Sequence, residues 1–429
     1  MIRNNTRGFS SFTYKVIAFT GLLLLLGSIP TRATASDQTF APDPSYTSIA
    51  AAPNGGFWVQ LHGMKDYEWD YRTIAVDGAP VFESIPWFGS IASIPGKNGY
   101  WMVRPNGVIY ARGDAPELCS GLLQNCSGFS TDPAQRITAA AASPNGKGLW
   151  AVDNNGHVWT AGEVVSYGDV SRDGSTPTGI VPTPSGLGYY IVCEDGGVHG
   201  RGDAVLFGST GGNKPGGHNI TGMALSYNLF GEVNGYWLVG SDGGVHSFGG
   251  APFLGSTGGA GGGHQVSSIV ARPDGRSYAW VYRDGRVTSV QAKPVVIKSV
   301  TEGTVIDVPS ASTEEAALRM AAESGVNSQK WKLLPYNGAF KIVNENSGLC
   351  MDLEGGAEAG RVIQYPCKQE ENPTNQLWTV LKDSSGKVLF QNREQPDYRL
   401  YGYPESYWGG VIVSYYTNPG LTWTVTPAP

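Results

Sequence analysis

Between Cys350 and Trp378 the sequence gathers a carboxylate, a phenol ring and two amides: Asp352, Tyr365, Asn375 and Gln376. Asp352, set between the apolar Met351 and Leu353, can accept two charge-assisted hydrogen bonds from adjacent hydroxyls. Tyr365 offers a flat ring to the apolar face of a pyranose, and Asn375 brings both a donor and an acceptor. Each has a bland use when taken singly: Asp352 as a turn cap, Tyr365 as packing, Gln376 as a member of a structural network. Their joint occurrence describes a site for a hydroxylated ring.

The elements that position them repeat. Gln329-Lys330-Trp331, Gln376-Leu377-Trp378 and Leu421-Thr422-Trp423 are evenly spaced, and each leads into an apolar strand. Three such strings imply a pseudo-three-fold fold with Trp331, Trp378 and Trp423 in one shared core. The middle copy reads SGLCMDLEGG, then RVIQYPC, then TNQLWTV. It resembles the ricin-type β-trefoil lectin family, also called carbohydrate-binding module family 13, over all of residues 294–429. The resemblance implies a sugar pocket at Asp352, Tyr365, Asn375 and Gln376, with Gln376 bracing the aspartate or the sugar. It also implies a bridge from Cys350 to Cys367. The first copy keeps Asp307 and has Asn327 near Gln329, but Met320, Ala321 and Ala322 stand where a ring is expected. The third puts Tyr401 in the carboxylate's place. Tyr403, Tyr407, Trp408, Tyr415 and Tyr416 gather there as packing. One working pocket is therefore expected.

Residues 48–292 carry a different repeat. Copies begin at Ser48, Ser90, Ile137, Gly179, Ile220 and Ser268, and their aligned isoleucines are 49, 91, 137, 180, 220 and 269. A period near 45 residues is that of a propeller blade. Within a copy an aromatic-rich strand meets a tight-turn pair and a second strand, the pairs being Asn106-Gly107, Asn155-Gly156, Asp195-Gly196, Asp242-Gly243 and Asp284-Gly285. A third piece, GDAVLFGSTGG from Gly202 and GGAPFLGSTGG from Gly249, is expected to bring each copy to four strands. Residues 38–47 are expected to complete the last copy, which lacks that piece. The copies are similar to the GYWLV-x-x-DGGV-type repeats attached to secreted bacterial cell-surface proteins and hydrolases. The expected fold is all-β: a six-bladed, alternatively seven-bladed, β-propeller over residues 36–293, then a β-trefoil over residues 294–429.

Arg3, Arg7 and Lys15 precede an apolar run that ends near Ala33-Thr34-Ala35, the pattern of a cleaved signal peptide over residues 1–35. The expectation is a secreted, extracellular protein without membrane insertion. Loss of those residues removes four basic side chains and no acid, taking the formal charge from −6 to about −10. Such a surface repels phosphate backbones, which excludes nucleic acid as a partner. Glycan or polysaccharide is the expected partner, and no protein partner of the repeats can be named. Five cysteines in an exported chain invite disulfides: Cys119 and Cys126 bracket a short loop, Cys350 and Cys367 a longer one, and Cys193 is left buried.

No catalytic set emerges. The recurring acids Asp195, Asp242 and Asp284 are explained by turn geometry, and Glu83, Glu163 and Glu232 are not periodic. His199 and His246 share a repeat position with Tyr110 and Trp159, an aromatic slot rather than a metal site. No cofactor or metal is expected. The leading expectation is a lectin whose repeats serve as display or partner scaffold. The alternative is a propeller glycoside hydrolase targeted to polysaccharide by the C-terminal module.

Overall fold

The Asn-Gly and Asp-Gly pairs form the hairpins that their chemistry demands. In this computed structural model Gly107, Gly156, Gly196, Gly243 and Gly285 take φ of 81°, 90°, 83°, 83° and 82°, a region that a Cβ disfavours. The structure describes residues 41–42, 48–53, 55–65, 68–82, 89–118, 135–171, 175–212, 214–258, 265–272, 275–336, 339–356, 360–368, 373–403, 410–414 and 422–428. Residues 1–35, where a signal peptide is expected, and Glu83, Cys119, Cys126, Tyr407, Trp408, Tyr415, Tyr416 and Leu421 lie outside them.

Six sheets follow in sequence. The first holds β1 (Ala41–Pro42), β2 (Ser48–Ala51), β3 (Phe57–Lys65) and β4 (Glu68–Val76). The second holds β5 (Ser90–Ser93), β6 (Gly99–Val103) and β7 (Ile109–Gly113), and the third β8 (Ile137–Ala142), β9 (Gly148–Asp153) and β10 (Val158–Gly162). The fourth holds β11 (Pro177–Pro182), β12 (Gly188–Cys193) and β13 (Val198–Gly202). In the fifth are β14 (Ile220–Tyr227), β15 (Val233–Gly240) and β16 (Val245–Gly249), and in the sixth β17 (Val266–Ala271), β18 (Tyr278–Tyr282) and β19 (Val287–Val290). The first strands neighbour one another in turn, β2, β5, β8, β11, β14 and β17, and β17 lies again beside β2.

Two expectations are corrected. The second to sixth sheets carry three strands rather than four, because the third piece is irregular chain whose carbonyls are taken by aromatic side chains instead of a ladder. Residues 41–42 do not join the sixth sheet; β1 pairs with β3 in the first, Ala41 opposite Met64.

The residue pair that opens each second strand, aromatic at both positions in four copies but Leu149-Trp150 in the third and Tyr278-Ala279 in the sixth, explains the stacking. Its second member reaches its own third piece: the indoles of Trp58, Trp101, Trp150 and Trp237 donate to the carbonyls of Pro80, Pro116, Val165 and Pro252, and the Tyr190 hydroxyl to Val205 O. Its first member reaches the preceding copy: Tyr189, Tyr236 and Tyr278 hydroxyls donate to Gly168, Gly208 and Gly255 carbonyls. The sixth copy has no third piece, and it has Ala279 at the indole position. The first sheet, which follows it around the ring, has Phe57 without a hydroxyl. Phe57, Val59, Ala279 and Val281 close that seam as an apolar cluster, and five further clusters join the other neighbours. Each buried aromatic removes on the order of 200 Å² from water, roughly 5 kcal/mol before entropy is counted.

The remainder is a barrel. Its strands are β20 (Val295–Ser299), β21 (Val305–Asp307), β22 (Ala316–Ala317), β23 (Arg319–Ala321), β24 (Trp331–Tyr336), β25 (Ala339–Asn344) and β26 (Cys350–Leu353). Then come β27 (Val362–Tyr365), β28 (Trp378–Lys382), β29 (Val388–Asn392), β30 (Arg399–Gly402), β31 (Val411–Ser414) and β32 (Trp423–Pro427). Strands β20, β24, β25, β28, β29 and β32 pair in that cyclic order and close on themselves, which leaves no sheet edge. Hairpins β21–β23, β26–β27 and β30–β31 complete the three lobes. Trp331, Trp378 and Trp423 are fully buried in one core cluster.

Candidate functional site

The tryptophans place the three lobes in register. Trp331, Trp378 and Trp423 each donate through the indole nitrogen, to the carbonyls of Ile306, Met351 and Leu400. The next residues, Asp307, Asp352 and Tyr401, are therefore equivalent.

In the second lobe four polar side chains converge. Asn375 Nδ2 donates to Asp352 Oδ1 at 2.8 Å, and Gln376 Nε2 to Asp352 Oδ2 at 2.9 Å. Gln376 also donates to Pro366 O and accepts from the Lys368 backbone N–H, both at 2.9 Å. The short turn Thr374–Gln376 presents both amides, and the buried Asn392 holds that turn by donating to Asn375 O at 3.0 Å. Tyr365, at the end of β27, is half-buried. Cys350 and Cys367 form the disulfide that ties β26 to the segment after Tyr365.

Asp352 is only 3% exposed, deeper than a carboxylate offered outright to a ligand. Its place between Met351 and Leu353 on a strand packed against the core, beneath two amides, accounts for the depth. Burial pushes its carboxyl above the usual aspartate value, while Gln376, the Lys368 ammonium and Asn375 pull it down and Glu315 adds to the rise. A carboxylate has about four lone-pair positions, and the amides use two of them.

The sequence reading overlooked two lysines. Lys368 Nζ donates to Asn375 Oδ1 at 3.0 Å and lies 5.9 Å from the centre of the Tyr365 ring. Lys341, buried on β25, donates to Lys368 O at 2.7 Å and lies 4.3 Å from the centre of the Tyr336 ring. Lys368 follows Tyr365 closely in the sequence and could have been weighed with it. Lys341 lies on β25, which pairs with β26 and β28 of the same lobe, and only the folded barrel brings it near.

The first lobe is occupied by its own side chains. Arg319, directly opposite Asp307 in the β21–β23 ladder, donates to Asp307 Oδ2 through Nε at 3.1 Å and Nη2 at 2.9 Å. Ser328 donates to Oδ1 at 2.7 Å. Ser328, rather than Asn327, takes the place of Asn375, and the ring position falls at Ala321. In the third lobe Tyr401 packs edge-on against Tyr403 with ring centres 4.9 Å apart.

Inside the ring of sheets the six first strands line a cavity of about 530 Å³. Its described lining is small, apolar and hydroxylated, with Arg283 as the charged member. Glu163 and Glu232 lie elsewhere, each paired with a lysine at the surface, Lys147 and Lys382. Among the described residues no group of three or more His, Cys, Asp or Glu could hold a metal ion. His199 and His246 sit opposite Ile191 and Leu238 in separate sheets.

Residues 279–366 and 327–401 match the family model described as ricin-type beta-trefoil lectin domain-like. Among solved structures the designed three-fold symmetric protein ThreeFoil is 26% identical, over 31% of this chain and 96% of its own, with a TM-score of 0.28. The cytolethal distending toxin from Actinobacillus actinomycetemcomitans is 21% identical over 32% of this chain and 92% of its own, TM-score 0.27. The Macrolepiota procera ricin B-like lectin, solved in complex with lactose, is 19% identical over 32% and 98%, TM-score 0.26. No curated protein matches the chain. The C-terminal region, residues 279–401, thus carries a ricin-type β-trefoil lectin-like domain.

Proposed function

We propose that this protein binds carbohydrate through a single pocket in the second lobe of its C-terminal barrel. The observation that carries the reading is the convergence of Asn375 and Gln376 on Asp352, at 2.8 and 2.9 Å, beside the half-buried Tyr365. A sugar stacks its apolar face on Tyr365 and sets hydroxyls against Asn375, while the unused lone pairs of Asp352 accept from below. Gln376 braces the carboxylate. The first lobe lacks this chemistry because Arg319 already occupies Asp307.

One such pocket binds near the millimolar level, about 4 kcal/mol, so retention on a polymer calls for a second contact or repeated sugars. In this reading the six sheets are a six-bladed propeller that serves as scaffold or partner surface. The cyclic order of first strands and the six inter-sheet clusters support it. The basic and apolar start of the chain supports export to a space where polysaccharides are met. A glycan array with the full chain tests the reading: signals should vanish in both Tyr365→Ala and Asp352→Asn. Unchanged signals in the two variants refute it.

A further inference from the structure

We propose that the second-lobe pocket selects acidic saccharides, the Lys368 ammonium receiving the carboxylate of a uronic acid whose ring stacks on Tyr365. The inference rests on the carbohydrate-binding reading above and narrows it to one substrate class.

The argument begins with which charges a ligand meets. Asp352 is sunk to 3% exposure, and each of its oxygens is covered by an amide. Lys368 is half-buried and stands at the rim, 3.0 Å from Asn375 Oδ1 and 5.9 Å from the centre of the Tyr365 ring. An ammonium has three donors, and Lys368 commits one of them, to Asn375. Among the described residues it makes no ion pair. A cation and the amide it donates to are thus placed beside the ring.

The other lobes sharpen the contrast. In the first, Arg319 spends its charge on Asp307 at 2.9 Å. In the second, Ile363 stands opposite Asp352, so no cation on the facing strand pairs with that carboxylate as Arg319 does in the first. Lys341 adds a second ammonium behind the rim and fixes the segment by donating to Lys368 O at 2.7 Å. The chain's net charge of −6 disfavours anions at long range, but salt screens that repulsion beyond about 8 Å. A direct ammonium–carboxylate contact outweighs it, because charge-assisted hydrogen bonds are about twice as strong as neutral ones.

The test uses the full chain and uronic-acid-terminated oligosaccharides, each paired with its methyl ester, which keeps the shape and removes the charge. Titration calorimetry should give acids about tenfold tighter than esters, the size of one charge-assisted hydrogen bond. Lys368→Met should erase the preference between acid and ester, and Lys368→Arg should keep it. Equal binding of acid and ester by the unmodified protein overturns the inference and spares carbohydrate binding. An undiminished preference in Lys368→Met overturns it as well. Failure of every acid, ester and neutral glycan to bind overturns both readings.

Discussion

Arg319 grips Asp307 at 2.9 Å in the first lobe, whereas the second lobe sets Ile363 opposite the equivalent Asp352. The same backbone position thus holds an internal ion pair in one lobe and a pocket floor in the next. Valency follows from that difference. Calorimetry should report one glycan per chain, and Asp307→Ala should leave the affinity unchanged. Because Asp307 is 3% exposed and also accepts from Ser328, its loss should cost roughly 1–3 kcal/mol of stability. Two binding events per chain, or weaker binding in Asp307→Ala, would contradict the assignment.

Acid should release the ligand earlier than an ordinary aspartate would. The folded-state pKa of Asp352 is raised above 3.8, chiefly by burial. Protonation removes an acceptor from the pocket floor, so affinity should fall as pH drops through a midpoint above 3.8. Stability runs the other way. A carboxyl raised on folding stabilises the fold most below its unfolded pKa, and that contribution is lost as pH rises through the folded value. Binding measured against pH from 7 downward checks this, and a midpoint at or below 3.8 would contradict it.

The disulfide should hold the pocket's far wall as well as the fold. Cys350 and Cys367 are 17 residues apart, a loop whose closure is worth about 3 kcal/mol. Pro366 and Lys368 flank Cys367, and both touch Gln376. Reduction should therefore lower the denaturant midpoint and weaken glycan binding together. A reduced protein that binds as tightly as the oxidised one would show that the amides alone hold the segment.

Much of this was legible in the residues. The turn pairs specify hairpins because Gly107 and its counterparts need positive φ, and the even spacing of Trp331, Trp378 and Trp423 reports their shared core. The third piece was misread because the apolar run Ala204 to Phe207 looks like a strand, yet Phe207 N–H donates to the Tyr236 hydroxyl and Val205 O accepts from Tyr190. Side chains from other strands occupy the groups that a ladder would need. The seam was readable in principle, since Ala279 is the one small residue at the second position of the pair and the neighbouring Phe57 has no hydroxyl. Its meaning needs the ring, which sets those residues side by side. Arg319 was missed for a related reason: its role depends on which residue faces it across a hairpin, and spacing along one strand does not give that register.

The last prediction concerns the hairpin of the fifth sheet. Strands β14 and β15 run 8 residues each, against 6 for β11 and β12, which extends the tip by about 7 Å. Asn228 shapes that tip: its side-chain oxygen accepts from the Phe230 and Glu232 backbone N–H groups at 2.9 and 3.1 Å. Leu229 and Phe230 then pack against the barrel core, and Lys382 Nζ lies 4.7 Å from the centre of the Phe230 ring and 3.6 Å from Glu232. The ion pair is exposed and contributes little, so the apolar contact carries the coupling between ring and barrel. Phe230→Ala should cost the barrel about 1–2 kcal/mol, less than a core Phe→Ala because the ring is only partly buried. Separately expressed residues 294–429 should still fold and bind glycan, since the barrel closes its own core. Calorimetric scans should place the barrel transition of Phe230→Ala near that of the isolated barrel and below that of the unmodified chain. An unmoved transition would show that the hairpin rests on the barrel without bracing it.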